Sequence, residues 1–177
     1  MQKIKRIAIT GPESTGKSEL SEKLARFYNT VWVNEYSREY LENLGRDYNY
    51  DDILKIAQQQ YNLENNEALK ANTFLFCDTD FTVTKIWCEF KYGKCHEWIS
   101  EMFLKHKYDL YLLCDIDLPW IYDPLREHPD KREALFSLYK NTLEKANFNF
   151  EIISGTGDKR LNNAIKALEK HFMLNIQ

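Results

Sequence analysis

The sequence lacks any apolar run approaching the roughly 20 residues that cross a bilayer. Its basic N-terminus leads directly into a predicted strand, without the apolar segment and small-residue cleavage site of a secretory signal. The net charge of −3 provides no basic field that would favour nucleic acid. We therefore expect a cytoplasmic protein with no membrane insertion and no nucleic-acid partner.

The four cysteines form no C-x-x-C pair, so neither a zinc site nor a disulfide framework is expected. Cys77 and Cys114 lie in apolar runs, where a thiol behaves as a small hydrophobic group. The sequence also contains no internal repeat and no low-complexity segment. With 177 residues, of which 44% are hydrophobic, it predicts one domain over residues 1–177 with a substantial core.

Residues 11–18, Gly-Pro-Glu-Ser-Thr-Gly-Lys-Ser, match the phosphate-binding pattern G-x-x-x-x-G-K-[ST] and are called the phosphate loop below. A predicted strand precedes the loop and a predicted amphipathic helix follows it, as phosphate binding requires. The glycines let backbone N–H groups converge on one anion, and the helix dipole adds positive potential. Lys17 can reach the β- and γ-phosphates of ATP, and the Ser18 hydroxyl can ligate Mg²⁺. We therefore predict ATP and Mg²⁺ as cofactors, with the ATP-binding residues Gly11, Glu13, Ser14, Thr15, Gly16, Lys17, Ser18 and Glu19.

Apolar runs alternate with helical patterns along the chain. The runs predict strands at residues 4–10, 30–34, 73–77, 108–114 and 150–154. Helical patterns cover residues 17–28, a long stretch capped by Asp51 or Asp52, and residues 81–91, 96–105, 134–146 and 161–172. Continuous apolar runs are typical of parallel strands covered on both faces. The order predicts an α/β P-loop NTPase fold, a doubly wound five-stranded parallel sheet with helices on both faces and the ligand at the strand carboxyl ends.

Three of the four prolines cluster with charged residues between the fourth strand and its helix. We predict that this region, residues 117–132, forms a short lid over ATP, and we call it the lid segment. Arg126 and Arg132 lie within it. An arginine brought down by lid closure can stabilise charge on the transferring phosphoryl group, although solvated surface arginines are the alternative.

Acidic residues end the strands beside the phosphate loop. Asp78 can hold Mg²⁺ directly or through water, and Asp80 would project to the same side if the extended conformation continued. Glu35 ends the second strand and can accept the proton of an acceptor hydroxyl or bind a sugar hydroxyl, while Arg38 can pair with it. The general base is thus Glu35, Asp78 or Asp80.

Aromatic residues are plentiful near the second and third strand ends, and a planar base could stack on one of them, although most such residues belong to a core. Tyr36 and Trp87 are two of these candidates. The glycine-rich turn at residues 155–160 resembles a second anion loop, and its backbone could contact an adenine ring. Together with Glu35, Arg38 and Asp80, Tyr36 and Trp87 are the predicted substrate-binding residues.

Taken together, these motifs resemble the ribosylnicotinamide kinase domain of the NadR family. The resemblance covers essentially the whole chain and is carried by the phosphate loop, residues 35–40, residues 78–81, Thr84, residues 92–93, Trp120, Asp123, Arg126 and Arg132. It implies transfer of the γ-phosphate of ATP to the 5′-hydroxyl of nicotinamide riboside, giving nicotinamide mononucleotide for NAD biosynthesis. The candidate catalytic residues are Lys17, Glu35, Asp78, Arg126 and Arg132, and the candidate metal ligands are Ser18 and Asp78.

Some family properties are not expected here, and two other functions stay open. The DNA-binding and nucleotidyltransferase domains of the best-known family members have no counterpart in this sequence, which starts at the kinase strand and contains no H-x-G-H motif.

A kinase for another nucleoside or nucleotide fits the same loop, with Arg38 and Arg46 available to an acceptor phosphate. An ATP-binding regulatory switch with little turnover, reporting to a partner such as a riboside transporter, is the other alternative. The oligomeric state and the preferred triphosphate also stay open.

Overall fold

A computed structural model describes residues 3–174, which form a five-stranded sheet of order β2-β3-β1-β4-β5. The strands are Lys5–Thr10 (β1), Trp32–Val33 (β2), Phe74–Asp78 (β3), Leu110–Cys114 (β4) and Phe150–Ile153 (β5). Every neighbouring pair is parallel. The predicted parallel sheet is confirmed, and all five carboxyl ends meet at one edge.

Helices follow or connect these strands. They are Lys17–Phe27 (α1), Tyr36–Glu42 (α2), Tyr50–Ala68 (α3), Phe81–Tyr92 (α4), Glu97–Lys105 (α5), Arg132–Lys145 (α6) and Gly157–Phe172 (α7), with a 3₁₀ turn at Pro129–Lys131. Among the helices within residues 3–174, none has both the length and the apolar composition that a membrane span requires.

The strands contribute to two hydrophobic cores, one on each face of the sheet, because successive side chains of a strand point to opposite faces. On one face, Ile9 of β1 packs with Leu24 of α1 and Leu168 of α7. On the other face, Ala8 packs in a cluster with Ile86 of α4 and residues of α6. Full burial of a side chain such as Leu24 contributes roughly 1.5–3 kcal/mol. Because helices cover both faces of the sheet, successive strand residues are apolar on both faces.

The second strand and the helix after it differ from expectation. Only Trp32 and Val33 pair with β3, whereas residues 30–34 were predicted, and the Thr30 hydroxyl instead donates to the carbonyl of Phe74 at 2.7 Å. Helix α2 is missing from the predicted elements. It has seven residues, of which only Ser37 is buried, so it carries no apolar stripe that a periodicity search could detect.

The long helix α3 begins earlier than predicted. Its N-cap is Asn49, whose side chain accepts hydrogen bonds from the backbone N–H groups of Asp51 at 3.0 Å and Asp52 at 3.2 Å. The carboxylate of Asp52 accepts in return from the backbone N–H of Asn49 at 2.9 Å, which completes a capping box. The prediction that Asp51 or Asp52 is the cap is therefore wrong, because both lie inside the first turn.

Candidate functional site

A cleft of about 550 Å³ opens at the carboxyl edge of the sheet, a size typical of small-molecule sites. The phosphate loop, between β1 and α1, forms one side of it. The other sides come from the start of α2, from α4 and from the lid segment. The predicted residues that line it, besides residues 11–19, are Glu35, Arg38, Trp87 and Arg126. The predicted ATP-binding loop and residues predicted to bind the phosphoryl acceptor therefore line the same cleft.

The backbone of the phosphate loop depends on its two glycines. Gly11 has φ +132°, and a Cβ there would lie 3.0 Å from the carbonyl oxygen of Cys114, so a larger residue would clash with the β4 backbone. Gly16 has φ +75° and precedes α1 with no side chain to cap its first turn. The amides at that helix end are therefore available to an anion. Lys17 folds over the loop, and its Nζ donates to the carbonyl of Pro12 at 2.9 Å.

Asp78 ends β3 directly beside β1, where Ile9 is its partner in the register. The side chain is buried, and within residues 3–174 its Oδ1 has no hydrogen-bond partner. Burial and the nearby negative charge of Glu35 raise the pKa of Asp78 to about 7, whereas Lys17 and the Ser18 hydroxyl act to lower it. Mg²⁺ is bound by one or two carboxylates and keeps several waters. An unpartnered carboxylate oxygen beside Ser18 fits that requirement.

Glu35 lines the cleft from the residue just before α2, and the Ser37 hydroxyl donates to its carboxylate at 2.7 Å. The Glu35–Arg38 pair that the sequence allowed does not form. Arg38 instead donates to Asp123 of the lid segment at 2.7 Å and lies 3.5 Å from Glu42, one turn further along α2. The helix directs Arg38 toward its own next turn and the lid, so Glu35 stays available to an acceptor.

Asp80 lies within the protein and caps α4. Its carboxylate accepts from the Thr10 hydroxyl at 2.8 Å and from the backbone N–H groups of Thr82 at 3.1 Å and Val83 at 3.4 Å. The extended conformation assumed for Asp80 is interrupted by Thr79, which has φ +79°. Burial raises the pKa of Asp80, and these hydrogen bonds oppose the rise. We therefore reassign Asp80 from acceptor ligand to helix cap.

Two aromatic residues, Trp87 and Tyr48, also line the cleft and are called the aromatic wall below. Trp87 donates through Nε1 to the hydroxyl of Tyr48 at 2.9 Å, and the two rings meet edge to face at 5.1 Å. The Tyr48 hydroxyl donates to Glu127 of the lid segment at 2.8 Å, and Lys91 contacts both of these groups. Sequence reasoning missed Tyr48, because it lies in a connection with no motif. Tyr36 is not among the residues that line the cleft, and its ring lies against the next turn of α2.

The two lid arginines have different surroundings. Arg126 lines the cleft and lies 3.4 Å from the Ser14 hydroxyl oxygen. Arg132 donates to the carbonyls of Leu118 at 2.9 Å and Ser14 at 3.1 Å, so it fastens the lid segment to the phosphate loop. Desolvation and the nearby Arg126 lower the pKa of Arg132. Arg126 is the better placed of the two to meet a phosphoryl group.

Glu13 joins the phosphate loop to the lid segment. Its carboxylate accepts from the backbone N–H groups of Glu127 at 3.2 Å and His128 at 3.1 Å. The Ser14 hydroxyl similarly accepts from the backbone N–H of Ile121 at 3.0 Å. Two residues predicted to bind ATP thus hold the lid segment in this conformation, and their contact with ATP stays a prediction.

The turn at residues 155–160 lies beside the end of the phosphate loop, where a small pocket is bounded by Gly16, Leu118 and Gly157. Asp117 holds the turn by accepting from the backbone N–H of Gly155 and by pairing with Arg160. Arg160 in turn donates to the carbonyl of Gly155 at 2.8 Å. Contact between the backbone of this turn and an adenine ring stays a prediction.

Residues 6–160 match the family described as AAA domain, so the chain belongs to this family of P-loop proteins. The chain is also 33% identical over 153 residues to the trifunctional NAD biosynthesis/regulator protein NadR of Salmonella typhimurium, and equally to that of Escherichia coli. These alignments cover 83% of this chain and 37% of each relative, so the chain spans little more than a third of the curated relatives. The resemblance to the NadR family is confirmed.

Solved structures show the same fold. Two NadR structures, one in complex with NR and one with NAD and AMP-PNP, superpose with TM-scores of 0.81 and 0.76 at 23% identity. They cover 99% of this chain and 52% and 51% of theirs. A thymidylate kinase from Ehrlichia chaffeensis gives a TM-score of 0.67 at 13% identity, covering 94% of this chain and 99% of its own. The predicted P-loop NTPase fold is confirmed.

Proposed function

We propose that this protein transfers the γ-phosphate of ATP to the 5′-hydroxyl of nicotinamide riboside, giving nicotinamide mononucleotide and ADP. The observation that carries the proposal is the shared cleft, which is lined by the phosphate loop, Glu35 and the aromatic wall. Sequence similarity to NadR, and a NadR structure in complex with NR, support the choice of acceptor. In a cell the product would enter NAD biosynthesis.

The donor end of the cleft would hold ATP. The amides at the start of α1 receive the phosphates, and Lys17 exchanges its contact with the Pro12 carbonyl for the β- and γ-phosphates. Ser18 and Asp78 are the residues that would hold Mg²⁺. When bound, Mg²⁺ neutralises charge on the β- and γ-phosphate oxygens.

The chemical step forms a bond between the 5′-oxygen and the γ-phosphorus and breaks the bond from that phosphorus to the β–γ bridging oxygen. The hydroxyl proton passes to a carboxylate, and we assign this role to Glu35 because it lines the cleft while Asp78 is buried. Arg126 stabilises the charge that develops on the transferring group. A loose transition state lowers the demand on a base, so Glu35 would orient the hydroxyl as well as accept its proton.

The acceptor end suits a planar cation. The ring of nicotinamide riboside is positively charged, and a cation is attracted to the face of Trp or Tyr, by about 0.5–2 kcal/mol. Trp87 supplies such a ring and Glu35 adds negative charge at the same cleft, whereas Lys91 already pairs with Glu127 and lies 3.9 Å from the centroid of the Tyr48 ring. A neutral base would gain the stacking but not the attraction between charges.

The cleft is less well suited to a nucleoside monophosphate as acceptor. It would need free cations for its phosphate, and the two arginines suggested by the sequence are both paired. Arg38 pairs with Asp123, and Arg46 donates to Asp52 at 2.7 Å. A regulatory switch with little turnover would not need Glu35 and Arg126 around the transfer position.

A panel of acceptors tests this proposal. ADP release from Mg²⁺-ATP is measured by a coupled assay with nicotinamide riboside, adenosine, thymidine and thymidine monophosphate. We expect the highest kcat/KM with nicotinamide riboside. A higher kcat/KM with one of the other acceptors would replace the proposed substrate, and no turnover with any acceptor would favour the switch.

A further inference from the structure

The side chain of Gln60 lies between the backbone segments that carry Glu35 and Asp78. It continues the buried stripe of α3 and is 4% exposed, whereas Gln58 and Gln59 just before it are exposed. A buried amide is unfavourable unless its donors and acceptor find partners. The surroundings of Gln60 supply them.

Three backbone groups form hydrogen bonds with this amide. Its Oε1 accepts from the N–H of Tyr36 at 2.9 Å, and its Nε2 donates to the carbonyls of Asn34 at 3.2 Å and Asp78 at 3.3 Å. Tyr36 and Asn34 flank Glu35 in the chain. The amide is therefore bonded to the peptide on each side of one carboxylate residue and to the residue that carries the other.

These hydrogen bonds lie at the carboxyl end of the pairing between β2 and β3. The ladder between β2 and β3 pairs Trp32 with Phe76 and Val33 with Cys77. The next pair in that register would be Asn34 with Asp78, and it is at this pair that Gln60 bridges the two carbonyls. The glutamine thus continues the connection between the strand ends by one more residue.

We infer that Gln60 is a positioning residue that sets the separation of Glu35 and Asp78. Its amide has one acceptor oxygen and two N–H donors, which match one backbone N–H and two carbonyls. A carboxylate in its place has no proton to donate, and a hydrocarbon can make none of the three bonds. This role rests on the proposed function, in which Asp78 holds the metal and Glu35 meets the acceptor hydroxyl.

The consequence for catalysis follows from geometry. The metal-bound phosphate and the acceptor hydroxyl must meet within reacting distance, and a misplacement of about 1 Å can cost about 100-fold in rate. Gln60 touches neither of them directly, so its loss would act through Glu35 and Asp78.

The test compares Gln60→Met, which keeps length and volume but makes no hydrogen bond, and Gln60→Asn, which keeps the amide but shortens its reach. Gln59→Met, on the exposed side of the same helix, is the matched control. Rates are expressed per site that binds Mg²⁺-ATP, so that misfolded protein is not counted. We expect kcat to fall about 10- to 100-fold in both Gln60 variants and to be unchanged in the control.

The KM for ATP should change less than kcat in both Gln60 variants, because the phosphate loop is untouched and β3 stays paired with β1, and this split separates positioning from general damage. A merely structural role would lower the melting temperature while leaving kcat per ATP-binding site at the wild-type value. Wild-type kcat in both Gln60 variants would therefore overturn the inference.

Failure of the proposed function can be told apart from failure of this inference. If the wild-type protein does not phosphorylate nicotinamide riboside, the proposed function fails and crystal structures of the wild type and Gln60→Met decide the role of Gln60. A change of about 1 Å or more in the distance between the Glu35 and Asp78 carboxyl carbons supports positioning. An unchanged distance overturns it.

Discussion

The guanidinium group of Arg38 donates a 2.7 Å hydrogen bond to Asp123, which ties α2 directly to the lid segment. A second tie joins Lys91 of α4 to Glu127 at 2.8 Å. Both carboxylates lie on the lid segment and both cations on helices beside the cleft. Partly exposed pairs of this kind contribute about 0.2–1 kcal/mol each, so these two ties add modestly to the hydrogen bonds by which Glu13, Ser14 and Arg132 hold the lid segment.

A double-mutant cycle measures the first of these ties. Urea unfolding of Arg38→Ala, Asp123→Ala and the double variant should give a coupling free energy of about 0.2–1 kcal/mol. The coupling should shrink at high salt, because exposed charges are screened. A coupling that is the same at low and high salt would show that the pair is not stabilised by exposed electrostatics.

Replacement of Lys17 by alanine should abolish turnover and weaken the binding of Mg²⁺-ATP, because Lys17 supplies the positive charge at the β- and γ-phosphates. The fold should be retained, since the ammonium group donates its hydrogen bond to the carbonyl of Pro12 in its own loop. Turnover, ATP titration and circular dichroism check these three outcomes. Lys166→Ala, at an exposed position of α7, is the control. Normal turnover in Lys17→Ala would contradict the phosphate-loop assignment.

Replacement of Glu35 by glutamine should lower kcat by roughly 10²- to 10⁴-fold if Glu35 accepts the acceptor proton. The amide keeps the size of the side chain but cannot take up the proton. Steady-state kinetics with saturating ATP and acceptor measure the effect. A decrease below tenfold would reduce Glu35 to orientation of the hydroxyl.

The raised pKa of Asp78 predicts a pH-dependent stability. Its folded-state pKa of about 7 lies above the ordinary value of 3.8, so between these values the folded protein binds the proton more tightly than the unfolded chain does. The free energy of unfolding should therefore decrease as pH rises through this window, and the loss is complete above about pH 7.

Asp78→Asn removes that titration. In metal-free buffer we expect the variant to be more stable than the wild type at pH 8, by on the order of 2 kcal/mol, with the difference shrinking toward pH 4. Urea unfolding at both pH values measures it, with the exposed Asp47→Asn as control. A difference that grows toward pH 4 would have the wrong sign for this explanation.

The donor half of the site could be predicted from the sequence because its signals are local. Glycine spacing and a single Lys-Ser pair define the phosphate loop, and apolar runs locate all five strands to within a few residues. Each of these signals depends on the backbone or on burial within one element. The strand order was not predicted, because right-handed crossovers are compatible with more than one order of parallel strands.

The acceptor half could not be predicted in the same way because it depends on contacts between distant residues. Arg38 pairs with a carboxylate 85 positions away, and the left-handed backbone at Thr79 directs Asp80 into the protein. Tyr48 reaches the cleft from a connection that carries no motif. Gln60 carried one visible signal, a glutamine on the buried stripe of α3, but the strand ends that it bridges appear only once the sheet is assembled.

The most direct test of the proposed function measures ADP release from Mg²⁺-ATP with and without nicotinamide riboside, with the products separated by chromatography. We expect ADP release that depends on the riboside, together with an equal amount of nicotinamide mononucleotide. ATP binding without turnover on the riboside, or ADP release with no nicotinamide mononucleotide formed, would contradict it.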